Sequence, residues 1–275
     1  MAVASDTEGD GQSGVALLLV IWVTALLAAL AAAATLEVRA GLDVTRGLVD
    51  STRSRTLADS GIWAAVAALL DERTFASVRR DGTPQTLPSA GEAITVEVED
   101  ERAKFDINSV REAPLAKLFQ IVGLDPSLAR NLVVYRGERK PAFSALEELR
   151  LVPGFTAERF AKVAPFLTAL TDDWRIHPAT ARPEVLLALP EVDGPLVQRY
   201  LALRRELGAD EVALRLASPP AIANQAVWGE PRFLTIRSTA RLETGAAFSR
   251  QAVVDFNPEG RRPYRVVEWV QKRVD

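Results

Sequence analysis

Apolar residues follow three different spacings along this chain, and each spacing predicts a different element. From 15 to 34 they are almost continuous: VALLLVIWVTALLAALAAAA holds one polar residue, Thr24. Leu and Ala are strong helix formers. Twenty such residues make a helix of about 30 Å, the thickness of a bilayer's hydrocarbon core. Three readings fit this run: a secretory signal peptide, a buried core helix, or a membrane-spanning anchor. A signal peptide has a basic start and a shorter apolar core, and a core helix keeps a polar face, so the anchor is the preferred reading. Beyond 34 the spacing changes. Leu36, Ala40, Val44 and Leu48 recur every four residues, and Ala58, Ile62, Val66 and Leu69 do so again, with charges on the other faces. This predicts an amphipathic helix running to about Asp71, weakened locally at Gly41, Gly47 and Gly61.

The loop-like stretch 80–92 ends the helical pattern. Ile94, Val96 and Val98 then alternate with Thr95, Glu97 and Glu99, which predicts a half-buried strand, with Phe105 and Ile107 continuing the sheet. Three more strand-like segments close the chain, PRFLTIRSTARL, AFSRQAVVDF and RPYRVVEWV, with a turn at Pro258-Glu259-Gly260 before the last. Between them lies a repeat. LFQIVGLDPSLA, LRLVPGFTAERF and LLALPEVDGPLV align without gaps from Leu118, Leu149 and Leu186. Each turns at Gly123, Gly154 or Glu191 and offers a helix cap at Asp125, Thr156 or Asp193. Pro126 and Pro195 are expected just inside the next helix. The prediction is helix, tight turn, helix, three times. The fold class is therefore α+β: a long N-terminal helix on a small antiparallel sheet, with a large all-α insert of helical hairpins.

Charge narrows the function classes. The net charge is −3, and the first fourteen residues hold Asp6, Glu8 and Asp10 with no Lys or Arg, so the remainder is balanced. Such a chain is not steered to nucleic acid by its overall field. The hairpins resemble helix-hairpin-helix motifs, which contact DNA backbone through turn amides and nearby cations. Against that, residues 106–220 carry equal numbers of bases and acids, and Glu191 and Asp193 stand where a phosphate would lie. A compact helical insert without nucleic acid is preferred, and a membrane-tethered DNA receptor is the alternative. There is no cysteine, which excludes disulfides and thiol chemistry. The single histidine, His177, has no accompanying nucleophile pattern and reads as structural. Phosphate-loop patterns are absent. Asp172-Asp173 and the cluster around Glu97 and Glu99 supply the oxygen ligands calcium takes, without EF-hand spacing; a solvated acidic surface is the preferred reading. Trp174, Trp228 and Trp269 read as core or interface anchors. No enzyme active site is expected.

A short hydrophilic leader ending in Gly, an apolar run starting directly after it and a long amphipathic continuation resemble type IV pilins and type II secretion pseudopilins. The run GVALLLVIW and the helical insert with its LRLVPG turn are similar to the K-type minor pseudopilins in particular. The resemblance implies cleavage after Gly14 by a prepilin peptidase and methylation of Val15. It implies a leader over 1–14, a transmembrane half-helix over 15–34 and its amphipathic continuation over 35–73. The sheet domain would occupy 74–108 and 231–275, and the insert 109–230. Most such proteins carry Glu at the fifth mature position; here that place is Leu19, as is common in the K type. A buried carboxylate needs the amino terminus of a neighbouring subunit as partner, and a subunit with no neighbour ahead of it needs none. The resemblance further implies a tip position with I- and J-type minor pseudopilins as partners, contact with inner-membrane lipid, and a single-pass inner-membrane location with the body in the periplasm. A minor pilin of a type IV pilus shares this logic. His177 and Ala179 depart from the family's usual Asn residues. The basic residues following the run, Arg39, Arg46, Arg53 and Arg55, run against the positive-inside rule for that orientation.

Overall fold

The computed structural model describes residues 10–87, 94–138, 143–208, 210–258 and 262–274, with the side chains of 10–16, 34 and 36–44 outside the description. The chain divides into two units, 1–53 and 54–275. The first is helical. Helix α1 (Asp10–Leu70) already includes Gly14 and Val15, so the expected cleavage position has helical backbone. One glycine costs a helix only about 1 kcal/mol, less than the surrounding Leu and Ala contribute. The first nine residues of the expected leader lie outside the described residues. Leu17, Trp22 and Leu30 are exposed. Thr24 donates its hydroxyl back to the Val20 carbonyl at 2.8 Å, which keeps it satisfied within the helix.

Among the described residues, no helix is long and apolar enough to cross a membrane. The single-pass inner-membrane placement expected from 15–34, and with it the transmembrane half-helix, is corrected accordingly.

The second unit begins in the later turns of α1. Ala58, Ile62, Val66 and Leu69 are all buried, as their four-residue spacing predicts, whereas Leu48 in the first unit is exposed. Leu36, Ala40 and Val44 fall among the side chains outside the description. α1 ends at Leu70 because Asp71 takes an extended conformation and accepts the Arg73 N–H at 3.0 Å, capping the short helix α2 (Glu72–Phe75). Strands β1 (Ile94–Asp100), β4 (Phe233–Arg241), β5 (Ala247–Asp255) and β6 (Arg265–Lys272) form one antiparallel sheet in the order β1-β4-β5-β6. Ile94 pairs with Ala240 and Val98 with Ile236. The alternation works as predicted: Ile94, Val96 and Val98 are buried against Leu234, Ile236, Val254 and the buried face of α1. Gly61 is required at the closest approach. A Cβ there would lie 2.2 Å from Ser238 Oγ and 2.7 Å from Ile94 Cγ2.

The chain between β1 and β4 builds a second core of its own. Helices α3 (Glu112–Ile121), α4 (Ser127–Gly137), α5 (Ala157–Val163), α6 (Pro183–Ala188) and α7 (Gly194–Leu207) surround it. α8 (Glu211–Ala217) and α9 (Pro220–Ala223) lead back to β4. The three repeat leucines, Leu118, Leu149 and Leu186, are completely buried in this core beside Phe119, Leu132 and Tyr200. The expectation that Phe105 and Ile107 continue the main sheet is corrected. Asp100 accepts the Arg102 N–H at 2.9 Å and caps a 3-10 turn at Glu101–Ala103, which carries the chain off the sheet. β2 (Phe105–Asp106) then pairs in parallel with β3 (Leu167–Thr168).

Candidate functional site

The three hairpins share one turn geometry. Gly123, Gly154 and Glu191 all adopt positive φ, at 74°, 90° and 60°. In the second turn a Cβ at Gly154 would stand 2.7 Å from Leu128 Cδ2, so both space and backbone call for glycine. Each following helix is capped as its sequence predicts. Asp125 Oδ1 accepts the Ser127 N–H at 2.8 Å, Thr156 Oγ1 the Arg159 N–H at 3.2 Å, and Asp193 Oδ1 the Leu196 N–H at 2.8 Å. Two details differ from the sequence reading. Pro126 stands at the cap of α4 rather than inside it, and the helix entering the second turn is a 3-10 helix, Leu146–Leu151.

Phosphate binding by such turns needs free amides and free cations. Here the amides are largely committed. Gly123 and Leu124 donate to the Gln120 and Phe119 carbonyls, Phe155 to Val152, and Val192 to Leu189. Cations are committed too. Lys117 Nζ donates to the Leu189 and Val192 carbonyls at 3.1 and 2.7 Å, tying the first hairpin to the third turn. Arg159 donates to its own turn at Gly154 O, and Asn131 Nδ2 bridges α4 to Pro153 O. Arg136 donates to the Ile107 and Val110 carbonyls. Burial holds both Lys117 and Arg136 below their usual pKa.

Residues 101–168 match the helix-hairpin-helix motif family. That segment spans the first two hairpins. It carries eleven bases against eight acids, more positive than the insert as a whole. No curated protein matches the chain.

A second polar assembly joins the insert to the sheet. Glu101 accepts Lys104 Nζ at 2.7 Å and Thr235 Oγ1 at 2.6 Å on one oxygen, and Thr168 Oγ1 at 2.5 Å on the other. Lys104 also pairs with Glu99 at 3.0 Å, and Arg182 bonds Glu99. Burial disfavours the charge on Lys104, but Glu101 and Glu99 outweigh it and raise its pKa. Burial likewise pushes Glu99 up, and Lys104 and Arg182 bring it below the usual carboxylate range. Sequence reading placed Glu99 and Glu101 in an acidic cluster but gave no sign of partners more than sixty residues away.

The calcium candidates are therefore dispersed. Glu97 faces Arg237 at 3.7 Å, Asp173 pairs with Arg175 at 2.7 Å, and Asp172 donates its N–H to Asp106 at 2.9 Å. Among the described residues, no group of three or more His, Asp or Glu is placed to hold a metal. The tryptophans are separated as well: Trp174 under Arg111, Trp228 against His177, and Trp269 stacked on Trp63 at 5.4 Å. His177 is 2% exposed, and its Nδ1 lies 2.9 Å from Thr180 Oγ1. Its Nε2 makes no hydrogen bond and stands 3.6 Å from Glu211. Thr180 thus faces one ring nitrogen of this histidine and the Glu211 carboxylate the other. Leu19 is exposed, and the side chains of Gly14 and Val15 lie outside the description.

Proposed function

We propose that this protein is a structural assembly subunit, a minor pseudopilin of the K type that occupies the first position of a type II secretion pseudopilus. The observation that supports this reading is the helical body placed between β1 and β4 of a sheet that covers the buried face at 58–69 of α1. A sheet on a helix is a repeating subunit's body; a bulky insert with its own core suits a subunit that nothing stacks upon. The exposed Leu17, Leu18, Leu26, Leu27 and Leu30 need cover from water. In this reading the α-helices of I- and J-type sister subunits provide it, at about 25 cal/mol for each Å² buried. Leu19 fits the same place, since a subunit without a forward neighbour has no amino terminus with which to pair a carboxylate.

Processing tests it. Co-expressed with a prepilin peptidase, the protein is expected to begin at methylated Val15. Cleavage after Gly14 requires the helix to unwind locally, which glycine eases by about 1 kcal/mol relative to Ala. An intact Met1 under conditions where a major pseudopilin is processed contradicts the proposal.

The helix-hairpin-helix match favours one other reading, binding of nucleic-acid backbone by the first two hairpins. Affinity for duplex DNA falling steeply with salt is its signature. The assembly reading expects no retention of DNA even at about 50 mM salt, because the turn amides and Lys117, Arg136 and Arg159 are already bonded within the insert.

A further inference from the structure

The two edges of the main sheet differ. The free side of β1 is closed by the segment before it: Gly82 and Gln85 donate their N–H groups to the Val98 and Val96 carbonyls at 2.9 Å, and Asp100 donates to the Arg80 carbonyl at 3.0 Å. The far edge is β6, which pairs with β5 on one side only. Among the described residues, no backbone hydrogen bond from outside the sheet reaches 265–272. Such an edge is a template for one more strand. No proline interrupts β6. Its register shift, at Val253/Val254 of the neighbouring strand, falls before Glu268 and leaves 268–272 regular.

The charges on this edge select the strand that fits it. Arg265 is paired with Asp255 at 3.3 Å, whereas Glu268 and Lys272 make no ion pair or side-chain hydrogen bond among the described residues. The two share one face of β6 with Val270 between them, opposite Val253, Ser249 and Gln251 respectively. About 13 Å of strand separates them, too far to pair with each other. Directly opposite residues of an antiparallel pair point the same way, so a second β6 laid antiparallel has a two-fold axis through one residue. An axis at Glu268 or Lys272 sets like charges together. An axis at Trp269 or Gln271 sets Glu268 or Lys272 against Val270. An axis at Val270 sets Glu268 of each copy against Lys272 of the other, twice. In that register Trp269, on the opposite face and stacked on Trp63 at 5.4 Å, meets Gln271 of the other copy directly and its Trp269 diagonally, at a spacing of ~7–8 Å that aromatic side chains reach. Trp63 is 44% exposed, so this aromatic stack has surface left to cover. We propose that β6 is a self-association edge, at which two copies of this chain pair antiparallel about Val270 and join their four-stranded sheets into one. The edge is separate from the helix-hairpin-helix segment and from the apolar run of α1, and the inference holds under either reading of function.

The chain has no cysteine, so Val270→Cys places a single thiol on the axis, where it meets its counterpart at about 5 Å between Cβ atoms. The test oxidises the full-length variant in an uncharged detergent at about 100 μM, the range of a weak interface, and reads covalent dimer on a non-reducing gel. Val270→Cys is expected to cross-link. Glu268→Cys is expected to cross-link far less, because its two thiols lie about 13 Å apart in this register. Adding Glu268→Lys or Lys272→Glu to Val270→Cys should cut the dimer yield about three- to tenfold, and adding both should restore it. Glu268→Lys favours the thiolate two residues away and Lys272→Glu disfavours it, so a fall with both reports association and not thiol reactivity. Cross-linking of Val270→Cys no faster than that of Glu268→Cys overturns the proposal, and is the result expected if the edge takes a strand from a different partner. A double charge reversal that fails to recover the dimer overturns it as well.

Discussion

Gly61→Ala is the substitution that bears most directly on the packing of α1 against the sheet. On an exposed helix it stabilises by about 1 kcal/mol, because alanine is the better helix former. Here the added methyl meets Ser238 Oγ at 2.2 Å, Ile94 Cγ2 at 2.7 Å and Ser238 Cβ at 3.1 Å. Ser238 is fully buried on β4 and Ile94 nearly so on β1, so neither side chain has open space to retreat into. Overpacking of this kind costs about 1–3 kcal/mol, and the helix gain offsets only part of it. The 2.2 Å approach puts the cost at the upper end of that range, so the expected net effect is a loss of about 1–2 kcal/mol, or a fall of about 2–8 °C in melting temperature for a unit of this size. Removing the Ser238 hydroxyl, which is buried without a hydrogen-bond partner, takes away the closest contact. Gly61→Ala combined with Ser238→Ala should therefore recover part of the loss, since the Ile94 Cγ2 contact at 2.7 Å remains. Circular dichroism of urea and thermal unfolding on the full chain reads both variants. A Gly61→Ala protein as stable as the parent, or more stable, refutes the close approach of helix and sheet at this position.

Three further outcomes follow from the same geometry. Lys104→Met leaves the buried Glu101 without its cation, while the half-buried Glu99 keeps Arg182, and should cost about 3 kcal/mol by urea unfolding; a neutral substitution would mean the network is solvated. Glu191→Gly relieves a non-glycine residue at positive φ in the third turn and should raise stability by up to about 1 kcal/mol; a loss would place the Glu191 side chain in an unrecognised contact. Glu211 has its pKa lowered from 4.5 to about 2, chiefly by the His177 ring. Its contribution is thus complete above pH 4.5 and is lost as pH falls towards 2. Glu211→Gln should flatten the decline in stability over that interval, and an unchanged acid limb would contradict the pairing.

Much of the second unit was legible because its signals are local. Alternation at Ile94, Val96 and Val98 set the strand and its buried face, and the four-residue spacing from Ala58 to Leu69 set the helix face that meets it. The leucines of the repeat and the caps at Asp125, Thr156 and Asp193 located all three hairpins. What escaped the sequence depends on distant partners. Phe105 has strand character, but a capped turn at Asp100 sends it to Leu167 instead of the main sheet. Glu101 looked like part of a solvated acidic run until Thr168, Thr235 and Lys104 closed around it. The apolar run at 15–34 read as a span from its length and near-total lack of polar residues, whereas among the described residues no helix is long and apolar enough to cross a membrane.

The most direct test of the assembly role is the subunit content of the complex formed when the full-length protein is mixed with I- and J-type minor pseudopilins, weighed by native mass spectrometry. The account predicts one stoichiometric complex containing all three subunits, stable in salt that would strip a purely electrostatic contact. A protein that remains alone beside an intact pair of the other two contradicts it.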